Sequence, residues 1–176
     1  MDIESNRKAR KWTRKELAGR ALWTLCSPLF RWSPRPLWGW RRFLLRLFGA
    51  KVGKDVHLTP SCRVFIPWNL EIGSWSSVGF ETIIYNLGEI TIGEHVTISQ
   101  RSHLCAGSHD FKDDSMPLIK ANITIEDGAW VCADTFVGPD ILIEKKGIVG
   151  ARAVVTKDVK AGNVVAGNPA KVIGHR

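Results

Sequence analysis

Small aliphatic residues recur every six positions at Ile125, Val131, Val137, Ile143, Val149 and Val155. The same step joins Val52, Leu58 and Val64, then Ile72, Val78 and Ile84, then Ile92, Ile98 and Leu104, so fifteen hexads fall into five groups of three. Two joints, Val64 to Ile72 and Ile84 to Ile92, are steps of eight, and the next, Leu104 to Ile125, is a step of 21. Glycine often follows the guide residue, at Gly53, Gly73, Gly79, Gly93, Gly138 and Gly150. There it would supply backbone freedom at corners. Small or β-branched residues recur four places after the guide, including Val56, Cys62, Ser76, Thr82, Val96, Ser102, Ser108, Ala129, Thr135, Ala153 and Val159. Such a position lies inside a tight turn of chain.

A period of six does not keep one face of a 3.6-residue helix, so the pattern predicts short strands separated by corners. Each rung would bond to its neighbours and bury aliphatic stacks that no single rung could bury alone. An ordinary sandwich has no reason to hold phase for so long. Residues 109 to 124 break the hexad and carry Asp110, Lys112, Asp113, Asp114 and Lys120, which predicts a loop too charged to be buried filler. Glu144 departs from the pattern by taking the slot after a guide that glycine often holds.

The 176 residues suffice for one domain with a substantial core. Charge is unevenly placed. Residues 1 to 50 hold twelve Lys/Arg against three Asp/Glu, while the whole chain is +8, so the other 126 residues sum to −1. We read residues 1–50 as a basic, Trp-rich helical arm and cap, with Ser27-Pro28 and Ser33-Pro34 as breaks and a short helix over 36–49. In that helix Leu37, Trp40, Leu44, Leu47 and Phe48 form a stripe opposite Arg42 and Arg46. Two roles follow: covering the open end of the first coil, or resting on anionic lipid at the inner face of the membrane. On either reading the charge stands apart from the nearly neutral remainder of the chain, so removal of residues 1 to 30, with 36–49 kept, should leave the chemistry of the coils in place. Nucleic-acid binding is disfavoured, because no finger spacing or RNA-binding aromatic motif accompanies the charge.

Cys26, Cys62, Cys105 and Cys132 show neither paired nor metal-like spacing, so we read them as packed thiols in a reducing, cytoplasmic compartment. No signal peptide is visible. Arginines interrupt every apolar stretch before it reaches the length of a membrane span.

His109 closes the third group of hexads, at the rim of the one large excursion. A histidine there, with an ordinary pKa of about 6.5, suits a general base, although an incidental loop histidine is the competing reading.

The run from Ser99 to Phe111, Ser-Gln-Arg-Ser-His-Leu-Cys-Ala-Gly-Ser-His-Asp-Phe, resembles the catalytic segment of the hexapeptide-repeat O-acetyltransferases, the maltose, galactoside and nodulation-factor enzymes among them. Arg-Arg-Phe-Leu-Leu-Arg-Leu-Phe-Gly-Ala at 41–50, Pro-Trp-Asn-Leu at 67–70 and Tyr-Asn-Leu-Gly at 85–88 resemble the branch acting in colanic acid or exopolysaccharide synthesis. The resemblance, covering about residues 33 to 173, implies an all-β body: a left-handed parallel β-helix over 51–173, trimeric, with a short helical N-terminal extension. It implies intersubunit active sites, acetyl-CoA as cosubstrate and a carbohydrate or lipid-linked sugar acceptor, with no bound metal. By the same resemblance His109 is the catalytic base, Asn86 and Asp110 meet the acceptor, Trp130 lines the cofactor or acceptor channel, and Ala166, Gly167 and Lys171 belong to the segment that closes over CoA. Asn86 could instead satisfy a coil corner, and Asp110 could instead orient His109 or stay solvated. Transfer to serine, N-acylation of a nucleotide sugar, a non-catalytic scaffold, or a zinc site using His95, His103 and His109 are the alternatives.

Overall fold

A computed structural model describes all residues 1–176. The body is a left-handed β-solenoid with three faces. The first face stacks the strands ending at Val52, Ile72, Ile92, Ile125 and Ile143. The second stacks those at Leu58, Val78, Ile98, Val131 and Val149, and the third those at Val64, Ile84, Leu104, Val137 and Val155. Guide pairs with guide throughout, and none of the fifteen is more than 8% exposed. Ile92 and Ile125 are parallel neighbours although 33 residues separate them, so the excursion adds nothing to the rise of the coil.

Four of the small residues four places after the guide are polar and buried: Ser76, Thr82, Ser102 and Thr135. Their hydroxyls donate to corner carbonyls, as Ser76 does to Gly93 at 2.7 Å, so burial leaves nothing unpaired. Ser108 falls outside this set, because the chain has already left the coil there.

The glycines after the guides serve a purpose other than the expected one. None of the six has positive φ. The left-handed residue sits three places after the guide and is rarely glycine: Asp55, Trp75, Glu81, His95, Arg101, Asp134, Asp140, Lys146 and Arg152 all adopt φ between 52° and 62°. What the glycines supply is room. A Cβ on Gly53, Gly73 or Gly79 would lie 2.5 Å from backbone of the next coil. Glu144, in the same slot, turns its carboxylate onto the chain that follows, accepting from Lys160 Nζ and the Ala161 amide.

Three helices precede the coils: α1 (Ile3–Lys8), α2 (Arg14–Arg31) and α3 (Trp38–Leu47). A capping box between Thr13 and Glu16 starts α2. Contrary to expectation, Pro28 does not break it. The Thr24 carbonyl, which loses its helical donor at Pro28, accepts from Ser27 Oγ at 3.1 Å. The predicted stripe of α3 is also turned. Leu44 and Leu45 are buried, but Leu37, Trp40 and Leu47 face outward and the arginines face the solenoid.

Those arginines cap the first coil. In later coils the carbonyls of the guides, such as Ile72 and Val78, accept amides from the preceding coil. The first coil has no predecessor. Arg46 donates to Val52 O, Arg42 to Val56 O and Arg41 to Leu58 O, while Trp23 Nε1 donates to Val64 O at 2.7 Å. Arg41 is wholly buried, and also donates to Ser33 Oγ and to the Pro34 and Arg35 carbonyls. Burial holds its pKa below the usual arginine value. Trp68 of the Pro-Trp-Asn-Leu run packs on Gly19 of α2, where a Cβ would meet its ring at 2.8 Å.

Candidate active site

All three lengthened joints lie at the corner from the third face to the first. The chain widens there with a 3-10 turn at Pro67–Asn69, then at 86–88, and in the third coil with a hairpin whose strands are Ser108–His109 and Leu118–Ile119. His109 pairs with Leu118 in antiparallel register, so the base candidate stands on a two-stranded arm projecting from the corner.

The Tyr-Asn-Leu-Gly run at 85–88 is the seat of that arm. A Cβ on Gly107 would lie 2.9 Å from Leu87 Cδ1 and 3.1 Å from Tyr85 Cε1. One on Gly88 would lie 2.0 Å from the Ala121 carbonyl oxygen, where the chain returns. Asn122 Oδ1 then accepts the Glu89 amide. Cys105 Sγ donates to Gly107 O at the arm's root. The four cysteines are free, and burial pushes the Cys62 thiol up to about 12.

Asn86 does not face this arm. It is fully buried, its Oδ1 accepts from the Phe65 and Ile66 amides, and its Nδ2 donates to Ile66 O. Within this chain the amide ties two coils together, the corner role named as the alternative to acceptor binding.

The His109 ring is exposed, with Nδ1 2.7 Å from Met116 O. A carbonyl only accepts, so Nδ1 carries the proton and the lone pair belongs to Nε2. That tautomer is the one a base needs. Asp110 takes no part in it: its Oδ1 accepts from the Lys112 amide at 2.9 Å and shapes the loop, so of the alternatives for Asp110 the orienting one falls to a backbone carbonyl instead. Its second oxygen has no partner in the chain.

Trp130 lies on the outer side of the second face between Thr97 and Ile148, 45% exposed, with Nε1 donating to Ser99 Oγ. The tail forms an antiparallel hairpin of Asn163–Ala166 and Lys171–His175, in which Ala166 pairs with Lys171. Its turn crosses to the third face, where Gly167 O accepts the Val154 amide and Ala170 N donates to Val154 O. Beside it is a cavity of about 380 Å³ lined by Thr156, Lys157, Val159, Pro169, Ala170 and Lys171. Ala166 packs on Gly150 at 3.0 Å from a Cβ there, so its small size serves coil packing as well. In one chain, therefore, His109 and Asp110 share the arm, while the tail strands with Ala166 and Lys171 extend the same seven-stranded face that carries Trp130, Trp130 pairing with Ile148 and Ile148 with Val164. His95, His103 and His109 do not gather, and no three His, Cys, Asp or Glu side chains form a metal-sized cluster.

The N-terminal segment, expected to stand apart from the chemistry, is fastened to the arm. The Asp2 amide donates to Asp114 O, and Asn6 Nδ2 donates to Ser115 O and Met116 O. Lys120 pairs with Glu16 at 3.4 Å and lies over the Trp12 ring. These contacts have no sequence signal, since they join residues more than a hundred positions apart.

No family model matches the sequence. The chain is 46% identical over 154 residues to WcaF of Escherichia coli (strain K12), assigned to colanic acid biosynthesis as an acetyltransferase, covering 88% of this chain and 85% of that protein. It is 26% identical to the galactoside O-acetyltransferase of the same organism, over 76% of this chain and 67% of that one. A hexapeptide-repeat-containing acetyltransferase of Vibrio cholerae, solved with acetyl coenzyme A, superimposes with a TM-score of 0.85 at 21% identity, covering 99% of this chain and 96% of the other. The chain thus belongs to the hexapeptide-repeat acetyltransferase family, in the company of the WcaF-like colanic acid and exopolysaccharide enzymes.

Proposed function

We propose that the protein transfers acetyl from acetyl-CoA to a hydroxyl of a sugar or polysaccharide precursor, with His109 as general base. The observation that carries this reading is the His109–Met116 hydrogen bond, which leaves an unprotonated Nε2 on an exposed arm. The hydroxyl oxygen attacks the thioester carbonyl while Nε2 takes its proton. The C–S bond then breaks, the proton passes to the departing CoA sulfur, and an acetyl ester and free CoA result. Asp110, with one oxygen unused, is available to a second acceptor hydroxyl. Trp130 offers stacking area and Lys171 a cation for CoA phosphates, with Ala166 and Gly167 lining the cofactor's path.

A homotrimer fits these positions, because Trp130 and the tail strands share the second face while the arm leaves the corner between the third face and the first, so a neighbour's arm would complete each site. Contact with anionic membrane is supported by Leu22, Leu25, Leu29 and Trp32, spaced along α2 and 56–86% exposed, beside Phe43 and Leu47 of α3. No helix is long and apolar enough to cross a membrane. Trp32→Ser together with Leu25→Ser should weaken sedimentation with anionic vesicles, and unchanged sedimentation would remove the lipid contact.

An acceptor screen with labelled acetyl-CoA tests the transfer. Ester formation on a sugar hydroxyl is the expected product; label appearing only on amines would replace the O-transfer reading with N-acylation.

A further inference from the structure

Asn6 and His109 meet at one atom. His109 Nδ1 lies 2.7 Å from the Met116 carbonyl oxygen, and Asn6 Nδ2 lies 2.6 Å from the same oxygen and 2.7 Å from Ser115 O. The sense of the Asn6 amide is fixed by its other end, since Lys11 Nζ donates to Asn6 Oδ1 at 2.7 Å. Met116 itself is held at φ 46°, a left-handed conformation that a residue with a Cβ adopts only when its surroundings insist. Within the arm the Met116 amide donates to Asp113 O, and the Ser115 amide to Asp113 Oδ1. Those bonds shape the turn. The Asp110 amide, donating to Pro117 O, places the chain beyond it, and the side chain besides His109 that reaches the Met116 carbonyl itself is Asn6.

We propose that Asn6 is a positioning residue for acetyl transfer: by holding the Met116 carbonyl toward Nδ1, it keeps His109 in the tautomer and orientation in which Nε2 receives the acceptor proton. This rests on the reading of His109 as base. The N-terminal segment then acts through hydrogen bonds, with no contact to either substrate. A carbonyl has two lone pairs, so one oxygen can accept from both side chains. Released from Asn6, Met116 can relax out of its left-handed conformation, and the imidazole loses the acceptor that selects its Nδ1–H form.

The test compares full-length wild type, Asn6→Ala and Asn6→Gln, measuring kinetics and the ¹⁵N imidazole spectrum, with His109 assigned by subtraction of His109→Ala. Asn6→Ala should lower kcat about tenfold, the scale of a base slightly misplaced, with KM for acetyl-CoA within about twofold. Its His109 signal should move from Nδ1-protonated toward a tautomer mixture, and Asn6→Gln, which keeps the donor, should recover most of both. An unchanged tautomer in Asn6→Ala overturns the proposal, whatever happens to melting temperature or rate. If the wild type acetylates nothing in the screen, the transfer reading fails, yet the tautomer comparison still decides whether Asn6 governs His109.

Discussion

Val137 and His109 illustrate two ways of being held in one chain. Val137 pairs with Leu104 below and Val155 above, buried completely among residues that its own repeat supplies. His109 pairs with Leu118 across a hairpin, and its ring is fixed by Met116, which in turn is held from Asn6. One position depends on in-register strands and apolar area, the other on a few polar contacts from distant chain. Damage should therefore spread in the coils and stay local at the arm.

Val137→Asp tests the coil side and carries the largest effect. An unpaired carboxylate in that stack should abolish soluble folded protein; a cooperatively melting variant would show that the coils are less tightly joined than their register implies. His109→Ala probes the arm. It should lower kcat by roughly 10² to 10⁴, while the melting temperature stays within about 2 °C because the ring buries little. A large loss of thermal stability would merge the two regions into one.

Arg41→Met falls between them, since Arg41 is aperiodic yet buried. Leaving the carbonyls of Leu58, Pro34 and Arg35 without a donor should remove about 3 kcal/mol of stability, read by urea unfolding. An unaltered midpoint would mean that water replaces the guanidinium at no loss.

The smallest effect concerns His103, which lies between Tyr85 and Phe136 with Nε2 buried and unpartnered. Burial lowers its pKa below the ordinary 6.5. In the window between that lowered value and 6.5 the unfolded chain binds more protons than the folded one, so stability falls as pH drops through it. His103→Phe should flatten the decline in melting temperature between about pH 7 and 5, and an equal decline in both proteins would discount the histidine.

What could be read from the residues divides along the same line. Guide positions repeat, so their phase, the strand spacing and the point of excursion are visible in Val52 to Val155 without coordinates. The purpose of the glycines is hidden in the sequence because crowding between coils is a three-dimensional fact: Gly53 and Gly73 need space, while Trp75 and His95 bear the unusual φ. Nothing near Asn86 in the sequence shows that its amide ties two coils together through Phe65 and Ile66. The α3 arginines looked solvent-facing because an amphipathic pattern gives no warning that carbonyls await them. Asn6, whose partners are 109 and 110 positions away, had no local signature at all.

The row of side-chain donors across the first coil bears on solubility. A parallel β-helix is a finite piece of a structure that could continue without end, and every exposed strand edge invites another molecule to extend it. Here the carbonyls of Val52, Val56, Leu58 and Val64 are already occupied by three guanidiniums and an indole. A second chain arriving with its last coil would have to displace charged, folded-over donors to stack. The cap thus closes one end of the stack to edge-on addition, so its removal should raise the tendency to aggregate as well as lower stability.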